Sequence, residues 1–293
     1  MGRIVMTNDD GVMADGLRAL QTALLERGLD VVVVAPTENR SGIARNATYS
    51  EPVAVTAVDG DENVLACSGT PVDCVRAALL GDIAPDARLV LSGINHGANL
   101  GDDTLNSGTV GAAVEAALLG VPAIAVSQQS HPGFFHILDA LDQHTPVYHR
   151  TAQIAAIAAE RALGWSLWPE RLILNLNVPA EIELGEANVE VTRLGRRFYE
   201  PGAVPRETRG YAAEYLTYGH RTAPAPRFED TPGTDFGAIK AGNVSLSPLS
   251  YAWGEELRHE QMLAWAQAAG DDISEALAAE AAIEKANPSP SRR

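Results

Sequence analysis

Residues 3–36, RIVMTNDDGVMADGLRALQTALLERGLDVVVVAP, decide the fold class of this chain of 293 residues. The segment begins and ends with largely apolar runs, RIVMT and DVVVVAP, which are typical of parallel strands covered on both faces. Between them Leu17, Leu20 and Leu24 recur at helical spacing, and Gly28 marks the expected end of the helix. The segment therefore predicts a strand–helix–strand unit with the right-handed crossover of nearly all such units.

The same alternation of apolar strands and helices continues to about residue 180. Further strands are predicted over PVAVTAV, VLACS, ARLVLS, PAIAVS and RLILNLNVP. Further helices are predicted over TPVDCVRAALLG, GTVGAAVEAALLG and residues 138–163, and the first of them opens on a capping arrangement of Thr70 and Asp73. This alternation predicts an α/β fold with a three-layer, doubly wound and mostly parallel sheet, Rossmann-like in outline, that ends near residue 180.

The chain beyond residue 180 has a different character. Residues 181–254 consist of shorter, more polar segments between Pro- and Gly-rich stretches, which predicts β-hairpin extensions. Residues 255–285 are rich in Ala and Glu and predict a C-terminal helix, and the final NPSPSRR predicts a disordered tail. Because this helix has no sheet of its own to cover, its apolar residues are expected to pack on a neighbouring subunit. They are Leu257, Met262, Leu263, Trp265 and Ile273. The alternative is that the helix folds back on its own domain.

Composition excludes several classes of function. The formal net charge of −16 argues against binding to nucleic acid or to an anionic membrane, since both need a basic face. No apolar run approaches the ~20 residues of a membrane span, and the N-terminus reaches its first acidic pair too soon to hold a signal peptide. Cys67 and Cys74 form no metal-binding pattern, so we expect reduced, buried thiols in a cytoplasmic protein.

Polar residues follow the predicted strands at the edge of the sheet where ligands bind in doubly wound folds. Asp9 and Asp10 come directly after the first strand, in TNDDG, and Ser41 lies in TENRSG after the second. Two adjacent carboxylates repel each other, and oxygen ligands without a Cys or His cluster favour a hard cation such as Mg²⁺ or Mn²⁺. The alternative is that one aspartate caps the next helix and the other is solvated.

A possible anion site follows in NSGTVGAAVEAALLG, residues 106–120. Ser107, Gly108 and Thr109 are placed at a predicted helix N-terminus, where free N–H groups and the helix dipole favour phosphate. Ordinary capping by Ser107 or Thr109 is the alternative. The chain has neither a GxxxxGK[ST] phosphate loop nor a GxGxxG after its first strand, which disfavours nucleoside-triphosphatase and dinucleotide-binding functions.

Other polar residues of these loops have a structural interpretation. We expect Asp102 and Asp103 to fix their loop by accepting backbone N–H bonds. Asp73 belongs to the capping arrangement rather than to a catalytic group. His96 either touches substrate or, as the simpler expectation, is exposed to solvent.

Taken together, these segments resemble the SurE (stationary-phase survival protein) family of metal-dependent nucleotidases. The matching segments, in chain order over roughly residues 3–250, are TNDDG, VVAPTENRSG, GTPVDCV, LSGINHGANLGDDTLNSGTVGAA, GVPAIAVS, LNLNVP, VTRLGRRFYE and GTDFGAIKAGNVSLSPL. The resemblance implies a divalent metal, one per subunit, held by Asp9, Asp10, Ser41 and Asn95. It also implies phosphate binding by Asn99, Ser107, Gly108 and Thr109.

The resemblance further implies hydrolysis of nucleoside 5′- and 3′-monophosphates, with short polyphosphate as a substrate of some members, by a homodimer or homotetramer with exchanged C-terminal elements. Residues 1–180 are then the catalytic domain, 181–254 an oligomerisation or substrate-side region, and 255–293 the helix and tail. Asp9 and Asp10 are the expected catalytic residues, either by orienting a water or, alternatively, by forming an aspartyl phosphate. A metal–nucleotide sensing module without turnover is the alternative function.

Overall fold

The computed structural model describes residues 2–133, 135, 147–185, 187–198, 204–209, 212–216, 227–251 and 259–286. Its strands are β1 (Ile4–Thr7), β2 (Val31–Pro36), β3 (Val55–Val58), β4 (Asp61–Cys67), β5 (Leu89–His96), β6 (Ala123–Gln128), β7 (Leu172–Val178), β8 (Val189–Val191), β9 (Arg197–Phe198), β10 (Val204–Arg209), β11 (Ala212–Leu216), β12 (Arg227–Phe228) and β13 (Val244–Ser250). Its helices are α1 (Asp15–Glu26), α2 (Pro71–Leu80), α3 (Gly108–Leu118), α4 (His149–Gly164), α5 (Asp235–Lys240) and α6 (His259–Ala286). A 3₁₀ helix, Gly101–Asn106, precedes α3.

One sheet of nine strands organises the chain, in the order β3-β4-β2-β1-β5-β6-β7-β13-β8. The strands from β4 to β7 in this order are parallel, whereas β3 and β13 run antiparallel to β4 and β7. The chain builds outward from β1 to β4 on one side and then crosses back to continue with β5. The prediction of a mostly parallel, doubly wound sheet is confirmed, and its topological switch point lies between β1 and β5.

Helices cover both faces of the sheet, which explains the uninterrupted apolar strands. Along β1, Ile4 and Met6 belong to the core that also contains the inward faces of α1, α4 and α6. Val5 points the other way, into the core formed with α2 and α3. Successive side chains of a strand alternate between faces, so a strand buried on both sides is expected to be apolar at most of its positions.

The predicted end of the sheet near residue 180 is wrong. β13 pairs antiparallel with β7, and β8 pairs parallel with β13, so the sheet continues well into the region 181–254. In the described part of that region a local hairpin is formed by β10 and β11, while β9 and β12 pair over a longer separation. Short polar segments do not reveal which of them return to an existing sheet edge, because that choice depends on residues far away in sequence.

The expectation that the C-terminal helix needs a neighbouring subunit is also wrong. Ile273 and Leu277 of α6 are fully buried in the core of their own chain. A side chain at Gly270 would meet Val191 of β8 at 3.0 Å, so helix and sheet are in close contact. The helix therefore covers the part of the sheet that the sequence did not predict.

The other residues named for that helix have different environments. Trp265 packs against Trp165 and Trp168 at ring-centroid distances of 5.5 and 5.1 Å. Met262 is half-buried and Leu263 exposed. Three parts of these predictions lie outside the described residues. They are Leu257, the tail 287–293 and residues 138–146, with which the helix predicted over 138–163 was expected to begin.

Two further expectations concern the interior and the membrane. Cys67 and Cys74 are both buried and free of a disulfide, which confirms the prediction of buried thiols. Among the described residues, the structure contains no helix with the length and apolar character that crossing a membrane requires.

Candidate metal and phosphate site

Asp9 and Asp10 lie at the topological switch point of the sheet. After β1 the chain makes a tight turn in which the Asn8 side chain accepts the N–H of Gly11 at 3.2 Å and donates to its carbonyl at 2.9 Å. Gly11 has φ +108°, which glycine adopts without strain. The first helix begins at Asp15 with Ala14 as its N-cap, so neither aspartate of the pair caps it and the capping alternative is wrong.

Asp9 is held by the N-terminus of α3. Its carboxylate, with 2% of the residue exposed, accepts a hydrogen bond of 2.5 Å from the Thr109 hydroxyl and a further one from the Thr109 backbone N–H. Burial, and secondly the charge of Asp10, raise the pKa of Asp9 to about 7. A Cβ at Gly108 would lie 2.8 Å from the Asp9 carboxylate, so glycine at this position lets the helix start approach the aspartate.

Asp10 is held by two other strand-end loops. It accepts the backbone N–H of His96 at 3.0 Å and the Asn39 amide at 3.4 Å. Burial raises the pKa of Asp10, and hydrogen bonds from the His96 N–H and the Ser41 hydroxyl lower it. Ser41 itself is exposed, and its N–H donates to Asn39 at 2.9 Å. The loop after β2 is thereby brought to the acidic pair, as the sequence predicted.

Asn95 lies at the end of β5, next to the helix start that holds Asp9. Its side-chain oxygen is 3.3 Å from the Thr109 hydroxyl, and its amide donates to the Gly97 carbonyl at 2.7 Å. The Thr109 hydroxyl therefore lies between the oxygens of Asp9 and Asn95. Of the four predicted metal ligands, two converge on Thr109 and the other two, Asp10 and Ser41, contact each other.

The donor set fits a hard divalent cation. It offers two carboxylates, a hydroxyl and a carboxamide oxygen, which are the ligands that Mg²⁺ and Mn²⁺ prefer. Burial raises the pKa of both carboxyl groups, so the interior disfavours their charges unless a cation offsets them. Within the described ranges no group of three or more His, Cys, Asp and Glu residues is suited to a metal, so a cation here depends on the neutral oxygens as well.

The residues assigned to phosphate have different environments. Ser107 is the N-cap of α3, and its hydroxyl accepts the Val110 N–H at 3.1 Å, so the capping interpretation applies to it. The hydroxyl proton remains available to an anion. Gly108 is the first residue of α3. The Thr109 hydroxyl serves Asp9, as described above.

Asn99 is joined to the neighbouring strands β6 and β7. It is 3% exposed, and its amide donates to the Ser127 hydroxyl at 2.8 Å. Its backbone is bonded to the side chains of Asn175 and Asn177. The sequence argument missed these supporting residues. Two asparagines at alternating positions of an otherwise apolar strand, LILNLNV, were the available signal.

The loop between Asn99 and α3 is anchored by segments from the region 187–198 and α5. Asp102 accepts the Arg197 N–H at 2.8 Å, which confirms its role as a backbone acceptor. Asp103 also fixes the loop, through an ion pair that was not predicted: its carboxylate lies 2.6 Å from the Arg197 guanidinium, with both side chains at most 3% exposed. Asp235, also missed, accepts the N–H groups of Gly101 and Gly195 at 2.7 and 2.8 Å.

Two further expectations can be compared with the structure. The reciprocal capping of Thr70 and Asp73 is confirmed, with backbone-to-side-chain bonds of 2.8 and 3.2 Å. His96 is half-buried rather than exposed, and burial lowers its pKa. Its Nε2 atom is enclosed without a hydrogen-bond partner among the described residues.

The fold and the site together define a class of protein. A doubly wound sheet carries one buried and one half-buried carboxylate, Asp9 and Asp10, at its switch point. The N-terminus of a helix lies beside Asp9, and this arrangement suits a cation together with an anionic ligand. The chain belongs to the SurE family, because the family model described as Survival protein SurE matches residues 4–201.

Individual relatives support the same placement. The protein called 5′-nucleotidase SurE of Stenotrophomonas maltophilia (strain R551-3) is 38% identical over 90% of this chain and 95% of its own. The protein of the same name from Rubrobacter xylanophilus is 42% identical over 84% and 91%. The crystal structure of the SurE protein from Aquifex aeolicus superposes with a TM-score of 0.69 at 29% identity, covering 89% of this chain and 97% of that one.

Proposed function

We propose that this chain is a metal-dependent 5′-nucleotidase, a phosphomonoesterase that releases phosphate from nucleoside 5′-monophosphates and also from 3′-monophosphates. The observation that carries the proposal is the convergence of the buried Asp9 carboxylate, the half-buried Asp10 carboxylate and a helix N-terminus at the switch point of the sheet. The names of the relatives support the same activity. Short polyphosphate is a second substrate class for the same chemistry.

Asp9, Asp10, Ser41 and Asn95 are proposed to hold one Mg²⁺ or Mn²⁺ ion. When bound, such an ion polarises the phosphoryl group and offsets charge on the attacking and leaving oxygens. The Thr109 hydroxyl and N–H fix the carboxylate of Asp9, so that one ligand is already oriented before substrate arrives.

The phosphate oxygens are proposed to lie against donors of this chain. The Asn99 amide, the Ser107 hydroxyl and the Gly108 N–H supply them, and the dipole of α3 favours the negative charge that develops there. A carboxylate of Asp9 or Asp10 accepts a proton from the attacking water. In the alternative route one of these carboxylates attacks the phosphorus directly, the P–O bond to the nucleoside breaks and the nucleoside leaves. Water then hydrolyses the resulting aspartyl phosphate and releases phosphate.

The assembly is proposed to be a homodimer or homotetramer. With α6 packed on its own sheet, the β10–β11 hairpin is the C-terminal element that could be exchanged between subunits, since it pairs with no strand of the main sheet in the described part of the chain. The formal net charge of −16 agrees with a small anionic substrate held by local groups rather than with a nucleic acid.

An assay of phosphate release from AMP, with and without Mn²⁺, tests the proposal. Release that requires Mn²⁺ is the expected result. If the protein binds Mn²⁺ and AMP in calorimetry but releases no phosphate, it is a sensing module and the proposed activity is wrong. No release and no binding would overturn both interpretations.

A further inference from the structure

We infer that Ser127, Asn175 and Asn177 are positioning residues that hold Asn99 in the orientation for phosphate binding. We call these three residues the amide platform, because they hold the amide groups of Asn99. The inference rests on the proposed function, because it assigns these residues a part in binding the phosphate group of the substrate.

The burial of the platform requires an explanation. Ser127, Asn175 and Asn177 have no exposed surface. The two asparagines lie in a strand that is otherwise apolar, and Ser127 follows four apolar residues of β6. A buried carboxamide without hydrogen bonds is strongly unfavourable compared with an apolar residue of similar size. Polar residues in the middle of such strands are therefore expected to serve a specific partner.

The strand register brings the platform together on one face. Asn177 of β7 lies opposite Ser127 of β6 in the parallel pairing, and Asn175 is two residues earlier. Residues at positions i and i+2 of a strand point to the same side. That side is the one covered by α2 and α3, because Ile173 belongs to the same core as those helices. The platform thus lies under the loop that leads to the start of α3.

Asn99 receives hydrogen bonds from the platform to both its backbone and its side chain. Its N–H donates to the Asn177 side-chain oxygen at 2.8 Å, and its carbonyl accepts the amide of Asn177 at 3.1 Å. The amide of Asn175 donates to the same carbonyl at 3.0 Å. These bonds fix where the Cα atom of Asn99 lies.

The contact with Ser127 has a different consequence. It is made to the side-chain amide of Asn99, at 2.8 Å, and not to the backbone of the loop. The loop is already anchored next to this point, because Leu100 is buried against Phe236 and the Gly101 N–H is bonded to Asp235. The hydrogen bond to Ser127 therefore fixes the orientation of the Asn99 side-chain amide rather than the position of the loop. That nitrogen carries a second N–H, which is left to donate to a phosphate oxygen.

A double-mutant cycle on the full chain tests the inference, with AMP and Mn²⁺ as substrate and metal. The variants are Ser127→Ala, Asn99→Ala and the two combined. Ser245→Ala is the matched control, since Ser245 is equally buried, lies opposite Asn177 on the other side of β7, and hydrogen-bonds Thr192 instead of Asn99.

We expect Ser127→Ala to lower kcat/KM for AMP by about 10- to 100-fold, the scale of a misplaced contact group. It should raise the inhibition constant of inorganic phosphate, while Mn²⁺ affinity in calorimetry stays within about twofold, because the metal ligands are elsewhere. The combined variant should be no slower than Asn99→Ala alone, since Ser127 acts through Asn99. In Asn177→Asp the new carboxylate repels the Asn99 carbonyl. This variant should also lose kcat/KM for AMP and phosphate affinity while its Mn²⁺ affinity is kept.

Several results would overturn the inference. One is an additive cycle, in which Ser127→Ala is as damaging without the Asn99 side chain as with it. Another is a Ser127→Ala variant that behaves like Ser245→Ala. A loss of Mn²⁺ affinity parallel to the loss of phosphate affinity would show a general structural role. A wild-type protein without phosphate release would instead overturn the proposed function, and this inference with it.

Discussion

Replacing Arg197 by methionine removes the cation from an ion pair that lies almost entirely inside the protein. The guanidinium donates two hydrogen bonds, of 3.0 and 2.6 Å, to one oxygen of Asp103, and the exposed fractions of the two side chains are 1% and 3%. It also lies over the Phe236 ring at 4.8 Å. Methionine keeps an apolar stem against that ring, so the change mainly removes the charge and its hydrogen bonds.

The cost follows from leaving a buried carboxylate without this guanidinium. Removing one partner of a buried pair costs about 3–5 kcal/mol, and we expect the lower end, about 3 kcal/mol, because Asp103 has a further interaction. At about 2–4 °C per kcal/mol, the midpoint of thermal unfolding should fall by roughly 6–12 °C. Circular dichroism during heating measures this shift.

Arg161→Met is the matched control, because Arg161 pairs with Asp272 on the surface, where the two side chains are 42% and 32% exposed. Surface pairs contribute about 0–1 kcal/mol. An Arg197→Met variant that melts within about 2 °C of Arg161→Met would refute the reasoning that this buried pair anchors the loop before α3.

Three further predictions concern the helix start beside Asp9, the packing of α6 and the assembly of the protein. Gly108→Ala should lower Mn²⁺-dependent phosphate release by about 100-fold, because the added Cβ atom would meet the Asp9 carboxylate. Gly164→Ala is the control and should leave activity unchanged, since a Cβ atom there has no other atom within 4 Å. Ile273→Ala should reduce the free energy of unfolding in urea by about 2–4 kcal/mol, and the exposed Ile283→Ala by less than about 0.5; equal effects would contradict the packing of α6 on its own sheet. Light scattering at micromolar concentration should give at least twice the chain mass of 31.0 kDa, and a value near 31.0 kDa would exclude the dimer.

Local patterns in the sequence account for the parts of the fold that were predicted. Short segments carry the signals for β1, α1 and β2, namely the spacing of Leu17, Leu20 and Leu24 and the apolar runs on either side. These three elements could therefore be predicted without knowledge of distant contacts. The capping of α2 joins Thr70 and Asp73, which are only three positions apart. Because strand ends of a parallel sheet meet at one edge, the proximity of the loops that carry Asp9, Asp10 and Ser41 also followed from topology. The choice of Asn95 as a fourth ligand was implied by the resemblance to the SurE family.

The missed features depend on contacts between distant segments. Arg197 meets Asp103 across 94 residues, and Asn177 meets Asn99 across 78. Nothing near Arg197 in sequence indicates its partner, and an isolated arginine is usually a surface residue. Contacts between distant segments also decide that β13 and β8 pair at the edge of the sheet and that α6 packs on them.

Phosphate release from AMP by Asp10→Asn, measured beside the wild-type protein over a range of Mn²⁺ concentrations, tests the central claim most directly. The substitution preserves the shape of a partly exposed side chain but removes one of the two charges proposed to hold the metal. We predict that release falls by more than about 100-fold and that Mn²⁺ affinity falls with it, since even outer-shell changes at metal sites cost about 10–100-fold. A folded Asp10→Asn variant with wild-type turnover and Mn²⁺ affinity would contradict the account.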